Sequence, residues 1–151
     1  MAGAIHHTVI ACRDIETSLT FYRDGIGLEV MADREVEGDW PELFGAPSRR
    51  LRVVFLGDPA VDDVFAGVLE LNGFESEIAA AADPTLRQGF SMISFFVDVD
   101  TTLQRLAELS LGGTPRRVAQ PTPYGPLAIA TVRDPDGAMV LLTPGSITRS
   151  R

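Results

Sequence analysis

The chain is short of several things at once. Its 151 residues include one cysteine, one tryptophan and two histidines. With Cys12 alone, no intrachain disulfide can form. Cys12 lies in an apolar stretch and is expected to be a small core residue, since no neighbour in sequence would activate its thiol. No apolar run is long enough to span a bilayer. The N-terminus lacks the basic-then-apolar order of a secretory signal. A cytoplasmic location with no membrane partner is therefore the expectation. Basic residues are also scarce: 13 Lys and Arg face 21 Asp and Glu, for a net charge of −8. That balance offers no general attraction for phosphate and disfavours nucleic acid. The one basic cluster, Arg49-Arg50-Leu51-Arg52, reads as solvated surface, with an anionic ligand as the other reading.

What is present is ordinary globular material, 45% hydrophobic and 23% charged. The pattern of apolar positions predicts a strand over about residues 5–12 and a helix beginning after Asp14, a suitable N-cap. The helix carries Ile15, Leu19, Phe21 and Tyr22 and stops at Gly25 and Gly27. Leu28 to Met31 predicts a second strand, and residues 33–50 a long loop containing Trp40, Pro41, Phe44 and Pro47. Arg52 to Leu56 and Phe65 to Leu71 predict two more strands. A polar, Ala-rich connector follows over residues 73–90.

The order then repeats. A strand ends at Val97, Asp98 or Asp100 caps a helix, and Gly112-Gly113 ends it. Strands are predicted at Arg116 to Ala119, Leu127 to Val132 and Ala138 to Leu142, the last two joined by the turn Asp134-Pro135-Asp136-Gly137. Asp14-Ile15-Glu16-Thr17-Ser18-Leu19 matches Asp98-Val99-Asp100-Thr101-Thr102-Leu103. The chain is thus predicted to be an α+β single domain over residues 1–151, built from two βαβββ modules, about 5–72 and about 91–144. Pairing them would bury a face of each sheet and give a curved, partly closed sheet with a concave cup.

The strand–Asp–helix start from His7 to Phe21-Tyr22, the Leu69-Glu70-Leu71 strand and the Asp134-Pro135-Asp136-Gly137 hairpin, in this order, resemble the vicinal oxygen chelate superfamily. That group includes glyoxalase I, methylmalonyl-CoA epimerase, extradiol dioxygenases and the fosfomycin- and bleomycin-resistance proteins. The resemblance runs from about Ile5 to Pro144. It implies a homodimer and a small-molecule ligand. In metal-using members, it implies four ligands: a His on the first strand, Glu or Gln on the fourth, His on the fifth and Glu on the eighth. His7 and Glu70 match the first two. The other two positions fall on Met92, with Ser91 as the alternative, and on Leu141. Neither a thioether nor a neutral hydroxyl is a good ligand for a divalent metal. No cofactor is therefore expected. A divalent metal, if held at all, would sit on His7 and Glu70.

The apolar set Ile93, Phe95 and Val97 is expected to pack inward, leaving Met92, Ser94 and Phe96 on the cup face. His6 is expected to point away from His7 by the same alternation. Three readings follow. In the first, Glu70 and His7 are an acid–base pair in a cup lined by Val68, Met92, Phe96 and Leu141, where desolvation makes a carboxylate a stronger base. That would suit a metal-independent isomerase, epimerase or lyase acting beside a carbonyl group. In the second, the cup binds an apolar or aromatic molecule without changing it. In the third, the pair is purely structural. A metal-dependent, glyoxalase-like enzyme whose partner subunit completes the ligand set is a further alternative. Tyr124 in its Pro-flanked loop, and Trp40 and Phe44 in the long loop, are candidate ligand contacts or lid residues, with turn packing or loop anchoring as the plainer use.

Overall fold

A computed structural model describes residues 5–62, 67–79 and 89–145. The chain divides into two compact units, one built on strands β1–β4 and the other on β5–β8. In the first, β1 (His7–Cys12), β2 (Glu29–Glu37), β3 (Arg50–Gly57) and β4 (Val68–Phe74) form one mixed sheet in the order β1-β4-β3-β2. In the second, β5 (Met92–Val97), β6 (Gly112–Gln120), β7 (Leu127–Arg133) and β8 (Met139–Pro144) repeat that order as β5-β8-β7-β6. The outer strand of each module pairs in parallel with the last, and the remaining pairs are antiparallel. Each sheet is open, not closed on itself.

The helices start where the sequence places their caps. In the first unit, Asp14 accepts hydrogen bonds from the Glu16 amide at 3.1 Å and from Thr17 Oγ1 at 2.8 Å. Helix α1 (Ile15–Leu19) passes directly into a π-helical turn, Thr20–Ile26, ended by Gly27 at φ 97°. In the second unit, Asp98, rather than Asp100, caps α3 (Val99–Glu108) by accepting from the Thr101 amide at 2.9 Å. Helix α1 sits so close to β4 that a side chain at Gly73 would meet Ile15 at 3.2 Å. Alternate residues of β3 and β4, such as Val54, Leu56 and Leu71, are wholly buried. In the second unit Val140, Leu142, Val132 and Leu106 play that part.

The structure corrects three boundaries. The stretch predicted as a loop over 33–50 is largely ordered: β2 runs on to Glu37, and Trp40–Phe44 form a short helix, α2, closed by Gly45 at φ 72°. The polar residues of this stretch are one side of a ladder. Arg52 and Arg50 reach diagonally across β2 and β3 to Asp33 and Glu35, with Arg52 forking onto Asp33 at 2.7 and 2.9 Å. Alternating charge therefore marks strand pairing here, not irregular chain. The basic cluster is taken up in this ladder, and Arg49 pairs with Asp39. Second, β4 extends to Phe74, beyond the expected end of the first module, while half of the predicted connector and the start of the Phe65 strand lie outside the described residues. Third, β6 spans Gly112–Gln120 despite Pro115, because it is an edge strand and its register shifts between Gly112 and Arg116.

The capping aspartates link stability to pH. Hydrogen bonds from Thr17 hold Asp14, and those from Thr101 hold Asp98, below the usual 3.8. The unfolded chain therefore binds more protons in this range. Stability from these groups is complete above the unfolded value and is lost as pH falls through the lower folded values. The urea midpoint is expected to drop between about pH 5 and pH 3. An Asp14→Asn/Asp98→Asn variant, which keeps both caps but cannot titrate, should show a flatter dependence.

Candidate functional site

The first sheet has two faces, and strand register decides what shares each. Val9 pairs with Glu70, and Glu70 with Phe55. His7 pairs with Val68, and Asn72 with Val53. Paired residues point to the same side of a sheet. One face therefore carries His7, Val68, Glu70, Asn72, Val53 and Phe55 together. Leu51, Val53, Phe55 and Val68 form its apolar floor, with Trp40 packed against it.

On this floor, His7 Nε2 lies 3.2 Å from Glu70 Oε2. Glu70 is 8% exposed, whereas the His7 side chain keeps 32% of its surface. The His7 ring stands edge-on to Phe55, with ring centres 5.9 Å apart. His6 does not point away as alternation predicts. It precedes β1, so the strand rule does not bind it, and its Nδ1 meets Nδ1 of His7. The result is a chain of groups from exposed His6 through His7 to the buried carboxylate. Either ring can be the donor between His6 and His7, because the roles depend on the tautomer.

Beside Glu70 lies a cavity of about 180 Å³. Phe55, Val53, Leu51 and Val36 give it apolar walls, and Trp40 and Phe44 of α2 complete it. The Trp40 and Phe44 rings stack, 28° apart with centres 6.1 Å from each other. The polar groups lining it are Glu70, Asn72 and the exposed Arg34. Two buried polar atoms here have no hydrogen-bond partner: Trp40 Nε1, a donor, and Asn72 Oδ1, an acceptor. Each such orphan costs about 1–3 kcal/mol. Sequence reading did not single out Asn72, Val53 or Phe55. Asn72 was within reach of it, because a strand residue two beyond Glu70 shares its face. Val53 and Phe55 required the register. A larger cavity, about 320 Å³, lies near Gly73 but is lined by Arg13, Arg50 and Arg52 together with Asp14, Glu35 and Glu75. Its charges are mutually balanced.

The second unit carries the counterpart positions. Met92 pairs with Met139 and Ser94 with Leu141, the register that His7 and Val9 have with Val68 and Glu70. Met92 is thus the counterpart of His7, and Leu141 of Glu70. Counting back from the capping aspartates gives Ser91 instead, because the first module has one more residue, Arg13, between strand and cap. Met92, Ser94 and Phe96 occupy the more exposed face of β5. The Ser94 hydroxyl lies 3.0 Å from that of Thr143. Tyr124 is 99% exposed in its loop.

The donor set does not fit a divalent metal. Among the described residues, no three His, Cys, Asp or Glu side chains converge. His7 has one ring nitrogen toward Glu70 and the other toward His6, and a catalytic zinc needs about three protein ligands. Among the described residues no helix is long and apolar enough to cross a membrane.

Known proteins agree with this architecture. Residues 4–142 match the family model for the Glyoxalase/Bleomycin resistance protein/Dioxygenase superfamily, and the chain belongs to that superfamily. The lactoylglutathione lyase-like protein terB of Aspergillus terreus is 38% identical over a 145-residue alignment that covers 92% of this chain and 74% of the relative. The glyoxalase family protein APC24694 of Bacillus cereus superposes with a TM-score of 0.70 at 19% identity, over 95% of each chain. Leishmania major glyoxalase I superposes at 0.60 with 23% identity, over 95% of this chain and 87% of its own.

The placement of Trp40 depends on Gly38. A Cβ there would lie 2.7 Å from two indole carbons. Gly38→Ala should therefore displace the ring and shift its emission to the red. Trp40 is the chain's single tryptophan, so the spectrum reports this site alone.

Proposed function

We propose that the protein is a metal-independent isomerase, epimerase or lyase acting on a small, largely apolar carbonyl compound, with Glu70 and His7 moving the proton. The observation that carries this reading is the 3.2 Å contact between His7 and a carboxylate buried beside an apolar cavity. One oxygen of Glu70 is occupied by His7, which leaves Oε1 to act on a ligand. Glu70 removes the proton from the carbon next to the carbonyl, and the electrons of that C–H bond move to the carbonyl oxygen as an enolate. Return of a proton to another position, or to the other face, gives the isomer or epimer; expulsion of a leaving group gives the lyase product. His7 holds the carboxylate in place and passes protons, with His6 as its link to solvent. The lyase-like name of the Aspergillus relative supports an enzyme over a carrier.

A second reading, capture of an apolar or aromatic molecule without chemistry, draws on the aromatic walls formed by Trp40, Phe44 and Phe55. Glu70→Gln separates the two, since it keeps the shape and removes the base. Turnover should fall by at least about 100-fold while ligand affinity stays within a few-fold. High affinity with no turnover by the unaltered protein on any carbonyl compound favours capture. Protein purified without chelator should hold far less than one equivalent of Zn²⁺, Ni²⁺, Fe²⁺ or Mn²⁺; a stoichiometric metal would falsify the metal-independent mechanism.

A further inference from the structure

The face of the first sheet that carries Glu70 also carries an arginine. Arg34 of β2 pairs with Val53 of β3, so its side chain leaves the sheet on the side of Val53, Asn72 and Glu70. It lines the cavity of about 180 Å³ together with Glu70. Its sequence neighbours Asp33 and Glu35 point to the opposite face, where Arg52 and Arg50 hold them. Arg49, Arg50 and Arg52 of the same unit are each paired with a carboxylate. Arg34 is exposed, and among the described residues its side chain has no hydrogen-bond or ion-pair partner. The wall between Arg34 and Glu70 is apolar, built by Val53 and Phe55 with Leu51 and Val36 beside them. The two charged groups stand on β2 and β4, with β3 between.

We infer that the cavity takes an apolar ring bearing both a ketone and a carboxylate, a cyclic oxo acid, with the carboxylate on Arg34. The inference deepens the proton-transfer reading and rests on it for the ketone's role. The cavity volume, about 180 Å³, is close to the roughly 150 Å³ that accommodates a benzene ring, so one six-membered ring fits. Charge dictates the arrangement. A ligand carboxylate beside Glu70 would meet a like charge. Held by Arg34, it sits across β3 from that charge and leaves the carbon beside the ketone to Glu70. The planar guanidinium receives a carboxylate on two parallel N–H donors. Because Arg34 is exposed, the pair gives a few-fold gain over a neutral ligand rather than orders of magnitude. Arg34 is thus a specificity residue: it decides which end of the ligand points at the base.

The test is titration of the intact chain with 3-oxocyclohexane-1-carboxylate and with the primary amide of the same acid. Binding is followed by the emission of Trp40, the single tryptophan, which lines the cavity. The two probes share a shape and a ketone and differ in charge. At low ionic strength the acid should bind at least about 3-fold more tightly than the amide. The gap should close as salt is raised. Arg34→Gln should abolish the preference. Arg117→Gln, which removes the same charge from the second unit, should keep it. An amide that binds as well as the acid overturns the inference, as does no binding of either probe. So does a preference that survives Arg34→Gln, or one that Arg117→Gln removes equally. The wild-type comparison and its salt dependence need no variant. Turnover of a carbonyl compound with no preference for the acid sinks this inference alone. The stated preference without any proton exchange beside the ketone sinks the catalytic reading alone.

Discussion

Parallel pairing of β1 with β4 is the constraint on which the candidate site depends. It sets Val9 opposite Glu70 and so brings His7, near the start of one strand, to a carboxylate in the middle of another. The two residues are far apart in sequence, and no local preference would join them. Once the register is fixed, the rest of the face follows by alternation. Val68 and Asn72 flank Glu70 on β4, Phe55 faces it from β3, and Trp40 packs onto the floor they make. A slip of one residue would turn Glu70 into the side packed by α1 and expose its apolar neighbours, which is why such a register is strongly specified.

The second unit uses the same pairing with different side chains. Its counterpart positions, Met92 and Leu141, have no group that could take up a proton at ordinary pH. The fold is therefore repeated and the chemistry is not. The titratable groups of the candidate site belong to the first unit, together with its cavity. A carboxylate kept 8% exposed on an apolar floor needs a partner, and His7 supplies one.

Much of the architecture was legible in the sequence because it is local. The helix caps Asp14 and Asp98, the glycine stop at Gly27 and the Asp134-Pro135-Asp136-Gly137 turn each follow from the chemistry of a few adjacent residues. The long loop was misread because Asp33, Glu35, Arg50 and Arg52 look solvated until the pairing of β2 with β3 turns them into a charge ladder. His6 was misread because alternation was applied one residue beyond the strand's start. Within the site, His7 and Glu70 stood out by type. Asn72 was available from strand periodicity, whereas Phe55, Val53 and the stacking of Trp40 on Phe44 depend on register and packing that no single segment encodes.

The proposal is of a superfamily member that uses a His–Glu pair, beside a small aromatic-walled cavity, without a metal. Deuterium uptake from D₂O at the carbon next to the carbonyl of a small cyclic ketone, followed by mass spectrometry on chelator-treated protein, bears most directly on it. The account predicts uptake that requires the protein, is indifferent to the chelator and disappears in Glu70→Gln. Uptake that appears only after a divalent metal is restored, or that persists undiminished without the Glu70 carboxylate, would contradict it.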